Sequence, residues 1–256
     1  MIDCHSHILP AFDDGAADIE MSLKMLLESK RQGVEKIIST SHCYPKKASD
    51  MHSFITKRNE SLLYLKEEIR KNNIDAPKIY PGCELNMTVN VSEFEETRLL
   101  CINETDYILI ELPLMPWKEW MIDAVYTLTA QGYKPIIAHI DRYAYQDKTL
   151  LSMLFELDVL YQISCDAFLN AKAARFTSKL MSEGRAHIIG SDMHNITSRP
   201  QNIEHAYKAI ANNYGKDCLE YFNANAQRIL DGEEILYAQM RSFERKSFFG
   251  RIFGKG

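Results

Sequence analysis

Short apolar or β-branched runs alternate with longer amphipathic stretches along the chain, with no break in this rhythm until about residue 237. The alternation predicts repeated β-α units and an α/β fold. Strands are expected at 1–5, 36–41, 78–84, 107–111, 134–139, 160–164 and 187–191, and seven strands suit a barrel. Between them, Asp18 caps a predicted helix that runs to Gln32 and stops at Gly33. Asp50 or Ser53 opens one reaching Lys71, and Gly132 and Gly184 close others over 118–131 and 172–183. Beyond the last strand the pattern is helical only, over 203–213, 216–221 and 226–230. No internal repeat or low-complexity linker divides the chain, so one domain is expected over 1–237, followed by a tail over 238–256.

Composition narrows the classes of function. A chain of 256 residues with 46% hydrophobic content can bury one substantial core. No run approaches the ~20 apolar residues of a membrane span, so a cytoplasmic protein is expected. A net charge of -5 argues against sequence-independent nucleic-acid binding, which needs a basic surface to displace counterions. The six cysteines are scattered without a C-x-x-C pair, and reduced thiols are the expected state.

Six of the seven predicted strands end in a metal-ligand residue type. His5 and His7 close the first, His42 the second, Glu84 the third, Glu111 the fourth, His139 the fifth, and Asp192 with His194 the seventh. The carboxyl ends of parallel strands in α/β barrels form one rim, so residues far apart in sequence would converge there. A lone His or Glu at a strand end is more often an ordinary loop residue, but the joint pattern points to a metal centre. His52, His187 and His205 lie elsewhere and read as ordinary histidines, and Asp166 near the sixth strand receives no role. Imidazole plus carboxylate without thiolate suits Mn²⁺, Fe²⁺ or Zn²⁺. Histidines two apart on an extended segment point the same way, so His5 and His7 can chelate one ion. The turn Asp13-Asp14-Gly15 could bring a carboxylate back over the same rim.

Residues 1–15, with Asp3-Cys4-His5-Ser6-His7 and Asp13-Asp14-Gly15, resemble the start of the PHP (polymerase and histidinol phosphatase) superfamily, in particular its capsule-type bacterial tyrosine-protein phosphatases of the CpsB/YwqE type. The likeness continues through Thr40-Ser41-His42, Pro81-Gly82-Cys83-Glu84-Leu85, Ile110-Glu111-Leu112, Ala138-His139-Ile140-Asp141-Arg142-Tyr143 and Gly190-Ser191-Asp192-Met193-His194, and covers residues 1 to about 235. It implies a distorted seven-stranded (β/α) barrel with C-terminal helices and three divalent ions, Mn²⁺ first among candidates. One ion would be held by His5, His7, Glu84 and Asp192, the second by Glu84, Glu111 and His139, and the third by Asp14, His42 and His194. Six positive charges against the four carboxylates Asp14, Glu84, Glu111 and Asp192 leave a surplus that a phosphate dianion fits. A metal-acidified water then attacks phosphorus without a protein nucleophile.

A cysteine-based phosphatase is the mechanistic rival. It needs a thiolate followed six positions later by arginine, and none of the six cysteines has one. Arg142 and Arg199 are the candidate phosphate ligands and catalytic residues, since a guanidinium fork matches phosphate oxygens. The segment 112–120 could face a phenyl ring or pack at a helix start, and Lys46 and Lys47 face either an acidic substrate or solvent. In the tail, Arg241, Arg245, Lys246, Arg251 and Lys255 alternate with Phe243, Phe248, Phe249, Ile252 and Phe253, a pattern compatible with weak contact to an anionic membrane, with docking, or with packing. The resemblance implies phosphotyrosine on a bacterial tyrosine kinase of capsule or exopolysaccharide synthesis as substrate. A small-molecule phosphatase acting on a compound such as histidinol phosphate is the first alternative, and a non-catalytic metal-bound scaffold the second.

Overall fold

A computed structural model describes residues 1–87, 91 and 94–245. The seven predicted strand segments all carry strands, but two of them stop short and are followed by a second short strand. Strand β1 spans Ile2–Ser6; β2 (Lys36–Ser39) fills most of the segment 36–41 and β3 (His42–Cys43) follows just beyond it, while β4 (Lys78–Pro81) lies within 78–84 and β5 (Glu84–Asn86) starts at its last residue. Then follow β6 (Tyr107–Glu111), β7 (Lys134–Ile137), β8 (Leu160–Ser164) and β9 (Ile188–Gly190). All pairings are parallel, in a three-stranded sheet β1-β2-β4 and a curled six-stranded sheet β3-β5-β6-β7-β8-β9. The division into two sheets departs from the expected seven-stranded barrel. It arises because the ladder is interrupted at Thr40-Ser41 and Gly82-Cys83, where single bonds from Thr40 N to Ser6 O (2.9 Å) and from Glu84 N to Ser41 O (3.1 Å) carry the chain across. At the other side, His7 N donates to Met193 O (2.9 Å) and Asp192 N to His5 O (2.8 Å), so the chain after β9 lies against β1.

Alternation along the strands sends their side chains to two faces. Ile108, Ile110, Ile137 and Ile189 join a large core beneath the surrounding helices. Tyr107, Leu109, Ile136, Leu160 and Ile188 join a second core with Ala226, Ile229 and Leu230 of helix α8 (Lys216–Asp231). Helix α1 (Ile19–Arg31) begins as expected, with the Asp18 carboxylate accepting from Met21 N at 2.8 Å, and turns Met25 and Leu26 into the core. Helix α2 (Ala48–Lys71) starts earlier than expected: Lys47 is its N-cap and makes no side-chain capping bond, while Asp50 reaches back from the first turn to Lys46 N at 2.9 Å.

The other helices are α3 (Glu119–Ala130), α4 (Lys148–Phe155), α5 (Cys165–Leu169), α6 (Ala174–Ser182) and α7 (Ile203–Tyr214). The two helices expected over 216–221 and 226–230 are one continuous α8. Past residue 237 the chain still packs, with Arg241 N on Ser182 O at 2.8 Å and the Phe243 ring 5.1 Å from that of Tyr221. The tail positions Lys246, Phe248, Phe249, Arg251, Ile252, Phe253 and Lys255 lie outside the described residues. Among the described residues no helix is long and apolar enough to cross a membrane.

Candidate metal centre

The carboxyl ends of the strands bring the nine residues named from the sequence to one place. The donor atoms group as His5, His7, Glu84 and Asp192; as His7, Asp14, His42 and His194; and as His42, Glu84 and Glu111, each set with its atoms within 4.8 Å of one another. His139 joins through Nε2, 2.8 Å from Glu84 Oε1 and 3.9 Å from Glu111 Oε1. Glu84, at the start of β5, therefore touches His5, His7, His42 and His139. Asp14 is largely exposed, yet its Oδ1 lies 3.4 Å from His42 Nε2 and 3.3 Å from His194 Nε2.

This spacing is that of a cation shell. His5 Nε2 and His7 Nε2 face each other at 3.2 Å, and both lie 3.2–3.3 Å from Glu84 Oε2 and 3.4 Å from Asp192 Oδ1. With ligand bonds of ~2.1 Å, the edge of a tetrahedron around an ion is about 3.4 Å. Buried polar atoms are normally hydrogen-bonded, but His42 Nδ1, Glu84 Oε2, His139 Nδ1 and His194 Nε2 are buried without such a partner. His42 Nδ1 and Glu84 Oε2 approach to 3.0 Å without hydrogen-bond alignment. The donor set fits divalent ions.

Charge is arranged to the same end. Burial pushes the Glu84 carboxyl up, but the surrounding His5, His139 and His42 outweigh it and hold it well below the usual range. Asp192 is likewise driven up by burial and held well down by His5, His7 and Arg142. Burial disfavours a charged His7, yet its contacts with Asp13, Asp192 and Glu84 raise it well above an ordinary imidazole. His194, buried beside His7, is pushed down to about 4.

The backbone bends to present these groups. His139 and Asp192 both take positive φ, 33° and 55°, in the left-handed region that side chains seldom occupy. Ala11, Asn73, Asn103, Glu104 and Arg241 share that region elsewhere in the chain, but at His139 and Asp192 the strained backbone carries residues of the cluster, where functional sites often store it. Gly15 allows the Asp13-Asp14 turn to close over β1, because a Cβ there would lie 2.2 Å from His7 O.

Both arginines arrive. Arg142 and Arg199 each donate to Asp192 Oδ2, the latter at 2.7 Å, and Arg199 Nη1 lies 3.6 Å from Asp14 Oδ2. Asp192 thus faces imidazoles with one oxygen and guanidinium groups with the other. In the segment 112–120, Trp117 is buried against Tyr143 while Leu114 and Met115 are exposed. Asp166 accepts from Asn202 Nδ2 at 2.7 Å.

Three orienting residues were not legible from ligand spacing. Asp13 accepts from His7 Nδ1 at 2.8 Å and from His42 N at 3.0 Å, which turns His7 Nε2 toward the cluster. Gln162 of β8 places its Oε1 2.7 Å from His139 N and 3.2 Å from His5 Nδ1. Asp3, fully buried, binds Ser191 through backbone and hydroxyl and Gln201 through its amide, tying β1 to the β9 loop. Such outer contacts fix ring orientation in metal sites. For Gln162 the available signal was an amide between Tyr161 and Ile163, in the middle of a buried strand.

Known proteins resemble this chain in sequence and in fold. Tyrosine-protein phosphatase YwqE of Bacillus subtilis is 29% identical over 260 residues, covering 98% of this chain and 99% of its own. Tyrosine-protein phosphatase CpsB of Streptococcus agalactiae is 33% identical over 92% of this chain and 100% of its own. The crystal structures of YwqE from Bacillus subtilis and CpsB from Streptococcus pneumoniae, unique metal-dependent tyrosine phosphatases, include a chain that matches with TM-score 0.80 at 27% identity, over 96% of this chain and 100% of the other. The model of the capsular polysaccharide synthesis family CpsB/CapC matches residues 1–231, and the chain belongs to that family.

Proposed function

We propose that the protein is a metal-dependent protein-tyrosine phosphatase. The observation that carries this reading is the set of imidazole and carboxylate donors at shell spacing, with buried atoms left unpartnered, in a chain 33% identical to a tyrosine-protein phosphatase over that protein's whole length. His5, His7, Glu84 and Asp192 would hold one ion, Glu84, Glu111 and His139 a second, and Asp14, His42 and His194 a third, with Mn²⁺ the favoured occupant. His42 also reaches the second group and His7 the third. The broken β2/β3 and β4/β5 pairs, with the Ser6–Met193 bridge, read together as the seven positions of a distorted barrel. Residues 1–237 would form that catalytic domain, with 238–256 as a tail whose basic and aromatic alternation is compatible with weak contact to an anionic membrane, with docking on a partner, or with the packing that Arg241 and Phe243 already make.

Bound ions would supply Lewis-acid polarisation and an acidified water nucleophile. The chain's own residues do the rest. Glu84 and Asp192 stay anionic to retain cations, Asp13 and Gln162 hold His7 and His5 in position, and Arg142 and Arg199 stand at the exposed edge, where guanidinium forks can take phosphate oxygens. The substrate would be a phosphotyrosine protein of capsule synthesis in the cytoplasm, a tyrosine kinase first among them, in keeping with the names of the relatives.

The test is phosphate release from a phosphotyrosine peptide, a phosphoserine peptide and histidinol phosphate, before and after exhaustive chelation. Chelation should abolish release from the phosphotyrosine peptide and Mn²⁺ should restore it. Full activity of the metal-free protein overturns the mechanism, and a preference for histidinol phosphate overturns the substrate class.

A further inference from the structure

His42 belongs to the metal-ligand cluster and also stands at the head of a cleft of about 700 Å³ between the loop holding Phe12 and one face of α2. That face is drawn from Asp50, Ser53, Phe54, Lys57, Ser61 and Tyr64, which recur every three or four residues and so form a single stripe. From Asp50 to Tyr64 the stripe rises about 21 Å along the helix. An extended polypeptide covers that length with about six residues, whereas a lone phosphotyrosine would fill only its head.

The lining suits a polypeptide. The Phe12 and Phe54 rings meet edge to face at 5.3 Å and form an apolar wall near His42. Ser61 Oγ is buried without a hydrogen-bond partner, and Tyr64 is 46% exposed at the far end. Among the described residues Lys57 has no ion-pair partner, while Asp50 and Glu60 add negative charge beside it. A wall of mixed charge does not suit a polyanion or an anionic lipid surface. Half-apolar walls with a few polar groups are instead the usual lining of a specific binding cleft.

We infer that this cleft is the track for the polypeptide flanking the phosphotyrosine, so that the protein reads about six residues of its substrate in addition to the phosphorylated ring. The apolar wall takes a neighbouring side chain, and Ser61 and Lys57 take backbone or polar groups. This rests on the phosphotyrosine reading given above.

The experiment compares free phosphotyrosine, p-nitrophenyl phosphate and phosphotyrosine peptides lengthened on either side to eight residues, using the full chain with Mn²⁺. Wild type should gain about tenfold or more in kcat/KM on the longer peptides, the equivalent of ~1.4 kcal/mol. Ser53→Trp, which fills the cleft from an exposed position, and Tyr64→Ala should each remove most of that gain. Both should hydrolyse p-nitrophenyl phosphate within about twofold of wild type, which also reports that they fold. A wild type that turns over free phosphotyrosine and long peptides equally overturns the inference and leaves the phosphatase reading standing. Persistence of the length gain in both variants overturns it as well. Failure to release phosphate from any phosphotyrosine compound overturns both readings.

Discussion

Arg142 lies three residues beyond His139 and donates to Asp192, so it is held at the edge of the cluster by a carboxylate that would ligate one of the ions. Phosphoryl transfer spreads negative charge over the equatorial oxygens, and a preorganised guanidinium stabilises that charge more than the ground state. Arg142→Ala should lower kcat/KM on a phosphotyrosine peptide by about 30-fold to 1000-fold, or ~2–4 kcal/mol. Metal content should stay intact, because Asp192 keeps its bond from Arg199. Arg142→Lys retains charge without the fork and should recover only part of the loss. Steady-state kinetics beside elemental analysis decides, and unchanged kcat/KM in the metal-replete alanine variant reduces Arg142 to a loop arginine. At this scale the sequence was informative about residues that bear chemistry directly, since His and Glu at strand ends stand out from their apolar neighbours. It did not assign the orienting roles of Asp13, offered only as one of two carboxylates on a turn, and of Gln162, because those roles depend on which ring nitrogen they meet across 6 and 157 residues of chain.

Among the elements, the contact between β1 and β9 places the first histidine. Gly190 lies so close to β1 that a Cβ would come within 2.4 Å of His5 Cβ and 2.9 Å of His5 N. Backbone cannot yield as a flexible side chain would, so Gly190→Ala should force the strands apart and swing His5 from the cluster. The expected result is a loss of about 1–3 kcal/mol in urea unfolding, together with weaker Mn²⁺ binding in titration calorimetry. If both are unchanged, the strands part there freely and the packing does not position His5. The order of strands and the long helices were legible because period-2 and period-3.6 patterns differ over many residues. Helix α4 was missed because 148–155 is a short apolar run that either period accommodates. The gap expected before residue 226 was wrong for another reason: Asn225 is buried inside α8, where its side chain donates to His187 O and Leu236 O and accepts from Leu236 N, so tertiary bonds overrule its preference for a turn.

Viewed as a whole, the molecule also buries groups that its chemistry does not use, and they set how it tolerates its surroundings. His187 Nδ1 accepts from Tyr161 N at 2.9 Å, and burial pushes its pKa down to about 4. The unfolded chain takes up that proton near pH 6.5, while the native state stays neutral until about pH 4. Stability from this residue is therefore complete above pH 6.5 and is lost as the pH falls between those values, by about 2 kcal/mol from pH 7 to pH 5. Urea midpoints of the chelated protein at the two pH values should show this loss, and His187→Gln, which can keep an acceptor without titrating, should show less. An equal drop in the variant assigns the acid sensitivity elsewhere. The cysteines were read from their spacing as reduced thiols, and all six are free and buried. Burial raises Cys4, Cys83 and Cys165 well above an ordinary thiol and Cys43, Cys101 and Cys218 to about 12. Peroxide attacks thiolates that solvent can reach, and it silences phosphatases that use one as nucleophile. This chain offers no such target, so dephosphorylation here would continue through an oxidative burst that halts its thiol-dependent counterparts.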